Sequence, residues 1–235
     1  MKVLGLDSAT LIAGIAIVEL RDGHPHILAE ARHDASNRTA DMLVSLDRCV
    51  SDAGMTPKQL DAVCIGAGPG SFTGLRIGMA TAKGIAFAAQ RPLWAVSSLA
   101  ALARDGQMHH SESLVAAILD ARRGEVFVGV YDGSKIVGEE RVLSPADCVT
   151  YLAELLGPRL HETRFAGDAL AEFPTELAPF TERWFATTPS GASVAALALA
   201  GARADVLVGS GPTYIRKAEA EVMYPDGVPG ALRRR

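Results

Sequence analysis

The stretch that most constrains this chain is residues 66–89, GAGPGSFTGLRIGMATAKGIAFAA. An apolar run, Ala62-Val63-Cys64-Ile65, gives out into glycine there. Gly68-Pro69-Gly70 cannot continue a regular strand, because proline fixes φ and lacks an N–H while glycine opens conformations closed to other residues. Ser71 or Thr73 can then cap a helix through a side-chain oxygen, and no proline intervenes before Gln90. Gly74, Gly78, Ala82 and Ala86 recur every four residues, so they form one ridge of very small side chains; Ala80, Gly84 and Ala88 form a second. Glycine in a helix interior costs up to about 1 kcal/mol against alanine, so close approach of another backbone must offset it. That backbone belongs either to this chain's own sheet and helices or to a second chain. A glycine-rich turn before a helix also suggests a phosphate site. GPGSFTG lacks the lysine of GxxxxGK[ST], however, which disfavours a P-loop.

The flanking sequence reads as two similar halves. Apolar runs at 3–6, 12–20 and 26–32, with a turn at Asp22-Gly23, predict an antiparallel meander. Thr39 can cap a helix over about 40–53, with Leu43, Leu46 and Val50 on one stripe widened by Met42 and Cys49. Thr56-Pro57 opens a short helix, residues 61–67 read as a buried strand, and the glycine-rich helix follows. A strand at 93–96 leads to a helix capped by Ser97 or Ser98 and reaching about Arg104; the polar run 106–113 then marks a domain boundary. The pattern repeats: a strand over 114–119 ending in Asp120, a turn at Arg122-Arg123-Gly124, strands over 126–131 and 135–142, and a helix opened by Ser144-Pro145 to about Leu156. Residues 164–166 form a strand. Pro174, Pro179 and Pro189 break up what comes next, Ser190 caps a helix over about 191–203, and the end is irregular.

At 235 residues the chain can bury the core of one large or two small domains. No apolar run reaches the ~18 residues that span a bilayer, and the start lacks the pattern of a secretory signal. A cytoplasmic protein with no membrane partner is expected. Cys49, Cys64 and Cys148 are widely spaced in or near apolar runs, which fits buried free thiols in a reducing compartment. A formal charge of −4 argues against a protein that grips nucleic acid alone, with Arg233-Arg234-Arg235 as a local exception.

GPGSFTGLRIG, preceded by MKVLGLDSAT and followed by ILDARRGEVF and PTYIR, closely resembles the TsaB (YeaZ) family, and the resemblance spans most of the chain. The doubled arrangement also resembles the α/β actin-like ATPase fold (ASKHA, RNase H-like), in two lobes with duplicated β-hairpin-plus-helix cores. These are expected at residues 1–106 and 107–235, with the helix near 191–203 able to pack back on the first lobe. The resemblance implies a non-catalytic scaffold of the machinery that makes threonylcarbamoyladenosine in tRNA. Its implied partners are a TsaD-like catalytic subunit, a TsaE-like ATPase and, through the complex, tRNA. It implies no tightly bound cofactor, with ATP and magnesium entering only at the level of the complex. A stand-alone ATPase or small-molecule kinase of the same fold is the alternative.

In the actin-like fold the turn after the first strand holds phosphate. Asp7, Ser8 and Thr10 stand at the matching place, where the alternative is an aspartate that merely caps a turn. Asp120 heads the opposing loop, whose two arginines would crowd a nucleotide, and Gly209-Ser210-Gly211 is the best adenosine-loop candidate. Together these read as a degenerate nucleotide site. TsaD-like relatives hold a metal with two histidines of one helix. His24, His26, His33, His109, His110 and His161 include no i,i+4 pair, so no metal is expected. No G-x-S-x-G elbow occurs, and no catalytic residue is assigned. The resemblance implies a helical interface, also able to close a homodimer, built from helices 40–53 and 73–89. Its candidate residues are Leu43, Leu46, Val50, Gly74, Arg76, Gly78, Ala82 and Lys83. Leu43, Leu46 and Val50 can equally be core, and Arg76 and Lys83 either meet acidic groups across an interface or face solvent. Arg38 stands where relatives often carry histidine.

Overall fold

The computed structural model describes residues 1–34, 40–108, 114–206 and 210–215. Arg38, Thr39, His109, His110, Gly209 and Arg233–Arg235 lie outside them. Its elements in chain order are β1 (Lys2–Asp7), β2 (Ile12–Arg21), β3 (His24–Asp34), α1 (Ala40–Asp52), β4 (Ala62–Gly66), α2 (Phe72–Ala89), β5 (Leu93–Val96), α3 (Ser98–Met108), β6 (Leu114–Arg122), β7 (Glu125–Asp132), β8 (Lys135–Leu143), α4 (Pro145–Leu156), β9 (Arg164–Ala166), α5 (Ala169–Glu172), β10 (Trp184–Phe185), α6 (Gly191–Leu199) and β11 (Ala204–Asp205). They build two sheets, ordered β11-β5-β4-β1-β2-β3 and β10-β9-β6-β7-β8. Each sheet contains an antiparallel meander whose first strand pairs in parallel with a later strand, β1 with β4 and β6 with β9. This is the duplicated α/β arrangement expected of the actin-like fold.

β1 and β4 are buried on both faces, so they read as continuous apolar runs rather than alternating ones. Alternation still decides the side. Leu4, Leu6, Val63 and Ile65 pack with Met42, Leu46 and Val50 of α1 and Met79 and Ala82 of α2. Val3, Ala62 and Cys64 pack on the other face with Val194, Ala195 and Ala198 of α6. The α6 contact is close: a Cβ on Gly5 would lie 2.0 Å from the Gly191 carbonyl oxygen, and one on Gly191 would lie 2.5 Å from the Ala16 nitrogen. α6 and β11 therefore belong to the layers of the first sheet although they follow the second in sequence.

α3 is the wedge between the sheets. Its Ala101 packs under the first sheet, while Leu99, Leu102 and Ala103 meet Val115, Ala117, Leu119, Phe127 and Tyr131 of the second. The helix passes the boundary expected at residue 106 and ends at Met108. Gly106 is accepted within it because the second sheet presses there: a Cβ would lie 3.1 Å from both Val115 Cγ1 and Ala166 Cβ. The residue before it, Asp105, fixes α6 to α3. Its carboxylate accepts the Ser190 N–H at 2.8 Å and the Ser190 and Ser193 hydroxyls at 2.6 Å each. Burial pushes its carboxyl up, and these three donors pull it back down. Leu102 is fully buried at the centre of this wedge. Leu102→Ala is expected to cost about 3 kcal/mol of unfolding free energy in urea melts, through lost transfer energy and a cavity that two sheets prevent from collapsing.

Candidate functional site

Asp7 ends β1 with no solvent exposure. Its Oδ1 accepts the Ala9 N–H at 2.8 Å and its Oδ2 accepts the Ser98 hydroxyl at 2.7 Å. Ser98 Oγ also accepts the Gly68 N–H at 3.1 Å, so one carboxylate joins the β1–β2 turn, the glycine loop and the start of α3. The fit leaves no room at position 66, where a Cβ would stand 1.7 Å from Asp7 Oδ2. Burial pushes the Asp7 carboxyl up to about 6 against the opposing pull of its two donors.

The hydroxyls next to Asp7 also turn inward. Ser8 Oγ donates to the Gly74 carbonyl at 2.9 Å. Thr10 Oγ1 donates to the Ile12 carbonyl at 2.9 Å and accepts the Ile12 N–H at 3.2 Å, closing a local turn. The reason is α2. Ser71 caps it, accepting the Gly74 N–H at 3.3 Å, and its first turns sit directly on the β1–β2 turn. A Cβ would lie 2.5 Å from the Ala9 oxygen at Gly70, 2.2 Å from the Ser8 oxygen at Gly74 and 2.0 Å from Ser8 Oγ at Gly78. The first small-residue ridge is thus an internal one, with Gly78, Ala82 and Ala86 buried. The second ridge has the opposite fate. Ala80, Gly84 and Ala88 are exposed, and nothing lies within 4 Å of a Cβ built on Gly84.

Asp120 stands on the second sheet in different company. Its Oδ1 accepts the Arg122 N–H at 2.7 Å, its Oδ2 lies 2.9 Å from the Arg122 guanidinium, and its own N–H donates to Asp168 Oδ1 at 2.9 Å. The Asp168 carboxyl is pushed up, first by burial. Arg122, Arg123 and Gly124 all adopt positive φ, 63°, 60° and 76°, a left-handed run that two non-glycine residues rarely share. Sequence reasoning missed Asp168, which stands 48 residues from Asp120; its only signal was Gly167-Asp168 at the end of a short strand.

The eight candidate interface residues divide. α1 is centred on Met42, Leu46, Cys49 and Val50, so Leu46 and Val50 face this chain's own core, while Leu43 sits past the rim at 55% exposure. The single stripe expected from sequence is split for that reason. Val44, next to Leu43 on α1, is 67% exposed, and on α2 Phe87 is 87% exposed. Gly78 and Ala82 are internal, and Gly74 is half-buried. Arg76 is exposed and stacks its guanidinium 4.2 Å over the Phe72 ring, which in turn meets Tyr214 at 5.2 Å. Lys83 is turned instead to the Ser210 carbonyl of the segment 210–215. That segment is also fixed by the Thr213 N–H donating to the Ala67 carbonyl at 2.7 Å.

Elsewhere, His24, His26 and His161 are exposed and His33 is buried against Ser45. Among the described residues no three His, Cys, Asp or Glu side chains gather as a metal site, and no helix is long and apolar enough to cross a membrane. Cys49, Cys64 and Cys148 are free and buried.

Two measurements test this geometry. Gly78→Ala, which meets Ser8, is expected to lower the unfolding free energy by at least about 2 kcal/mol. Gly84→Ala, which meets nothing, should raise it by up to about 1 kcal/mol through helix propensity. Asp7 is read through pH. Its carboxyl is raised in the folded state, so the protonated form favours folding, and that contribution fades as pH rises through about 6. In urea melts from pH 4 to 8, wild type should lose up to roughly 3 kcal/mol relative to Asp7→Asn on the way to pH 6.5 and then run level. A wild type that gains on the variant as pH rises contradicts the burial argument.

The sequence around these turns has relatives. A family model described as TsaD, tRNA N6-adenosine threonylcarbamoyltransferase, matches residues 32–231. The tRNA threonylcarbamoyladenosine biosynthesis protein TsaB of Bacillus subtilis (strain 168) is 31% identical over 237 residues, covering 95% of this chain and 98% of the relative. TsaB of Escherichia coli (strain K12) is 32% identical over 132 residues, 56% of this chain and 55% of the relative. Among solved structures, YeaZ from Pseudomonas aeruginosa superposes with a TM-score of 0.68 at 28% identity, covering 86% of this chain and 92% of that one. A near-full-length match at this identity, on the fold and motifs described above, places the chain in the TsaB (YeaZ) family of tRNA threonylcarbamoyladenosine biosynthesis.

Proposed function

We propose that this chain is a non-catalytic activating subunit that docks a TsaD-like catalytic subunit on the exposed side of α1 and α2. The observation that carries the reading is the two-sidedness of α2. Its inward ridge is filled by the β1–β2 turn, while the outward ridge of Ala80, Gly84 and Ala88 is open and lies on the side that also exposes Phe87. Exposed small side chains on a helix allow a partner helix to approach closely, and the exposed Leu43, Val44 and Phe87 supply apolar area. The same face can close a homodimer when the partner is absent. A TsaE-like ATPase and tRNA join through the complex.

The chemistry assigned to the partner is transfer of a threonylcarbamoyl group from an adenylate to the adenosine beside the anticodon. In this chain the Asp7 oxygens and the Ser8 and Thr10 hydroxyls have internal partners, and Asp120 is closed by Arg122. The reading therefore assigns no nucleotide to this chain alone. ATP and magnesium belong to a site that the complex completes.

A reconstituted assay tests this, with TsaD-like and TsaE-like proteins, threonylcarbamoyl adenylate, ATP and tRNA held constant. Modified adenosine is expected only when the chain is added. Gly84→Arg should cut product at least tenfold and abolish co-elution with the TsaD-like protein while leaving the unfolding midpoint within a few degrees. Equal product without the chain sinks the activator reading. Binding of ATP–magnesium by the isolated chain, lost in Asp7→Ala, would favour the stand-alone ATPase or kinase instead.

A further inference from the structure

The apolar junction between the two sheets carries one polar device that neither the packing nor the proposed docking face explains. It begins in the second sheet with an irregularity. The β7–β8 ladder shifts register between Val128 and Val130, and Gly138 within the shifted part of β8 has φ +81°. Alternation along β7 sends Val128 and Val130 to the outer core against α4, while Phe127 and Tyr131 face α3. On the α3-facing side Gly129 has no side chain. A Cβ there would lie 3.3 Å from Glu140 Cγ and 3.4 Å from Leu99 Cδ1. The bulge and the glycine together open a lane along which Glu140 of β8 reaches across its own sheet to the other one.

At the end of that lane a single oxygen, Glu140 Oε1, accepts two hydroxyls. One is Tyr131 Oη of its own sheet, and the other is Ser97 Oγ at the β5–α3 junction. The two hydroxyl oxygens are 3.4 Å apart. Ser97 Oγ also accepts the Ala100 N–H at 3.2 Å, so the carboxylate is tied to the cap of α3 itself. Tyr131 is 4% exposed and its phenol is pushed upward by burial, then by the Glu140 carboxylate, which keeps it a hydrogen donor. The adjacent residue points the other way: Ser98 donates to Asp7 of the first sheet. Successive serines thus pin the first turn of α3 to both sheets.

We propose that Glu140 is an interlobe latch, a carboxylate that holds the second sheet against the start of α3 through Ser97 and Tyr131. Releasing it frees the β5–α3 end of the junction. The far end of α3 stays packed on the second sheet at Gly106, against Val115 and Ala166, while Asp105 keeps α3 on α6, so the two sheets hinge about the wedge helix rather than separate. A charge-assisted hydrogen bond at the rim of an apolar contact suits such a role: it is directional, and it can be lost without emptying the core behind it.

Hydrogen exchange of the full-length protein under native conditions tests the latch. Glu140→Ala is expected to speed exchange at least tenfold in peptides covering the first turn of α3 and the Phe127–Tyr131 part of β7, with β1, β2 and α1 unchanged. Glu140→Gln keeps an oxygen that accepts both hydroxyls and should remain within about threefold of wild type. Tyr131→Phe, which removes one donor and leaves the ring, serves if Glu140→Ala does not fold, with a smaller rise confined to the same peptides. Unchanged exchange at α3 in the folded Ala or Phe variant overturns the proposal. So does a uniform rise across the first sheet, which would mark general destabilisation.

Discussion

The seating of α2 on the β1–β2 turn is the contact on which the rest of this structure depends. Ser8 puts its carbonyl against Gly74 and its hydroxyl under Gly78. Any side chain on that ridge would lift the helix from the sheet, since the atoms it would meet include fixed backbone. The glycines that weaken α2 as an isolated helix are therefore what allows it to pack. With α2 seated, the loop before it can pass over Asp7, and the Gly68 N–H can reach Ser98. The start of α3 is then placed, and with it the wedge between the sheets.

Asp7 follows from the same constraint. A carboxylate with no exposure is costly to keep charged, and here it has two internal donors and a glycine where a Cβ would collide. It acts as a brace between three chain segments. Asp120 holds the corresponding place in the second sheet, yet its partners are an arginine in a left-handed turn and a second carboxyl. The two halves repeat in topology but not in chemistry.

α2 presents two surfaces with unlike meanings. One is fully used by this chain's own turn. The other offers small side chains to open space, with the exposed Phe87 on the same side of the helix. A stripe of small residues on a lone helix has two explanations, and here each ridge takes one of them in the proposed reading.

What the sequence by itself determined is local. Most strands, turns and caps were legible because each depends on neighbours in the chain: Asp22-Gly23 as a turn, Ser71 and Ser190 as caps, Ser144-Pro145 as a helix start. The doubled meander and the family motifs were legible for the same reason. The two-residue strands β10 and β11 were not, since nothing in so short a segment distinguishes it from loop until a neighbouring strand pairs with it. Only the tertiary structure decided which ridge of α2 turns inward, that Leu46 and Val50 leave Leu43 at the surface, and that Asp168 joins Asp120. It also decided that Glu140, in the sequence one more charge within the strand over 135–142, reaches Ser97. Each of these rests on a contact between residues tens of positions apart, and helical or strand period carries no record of which distant backbone will come close enough to demand a glycine or supply a donor.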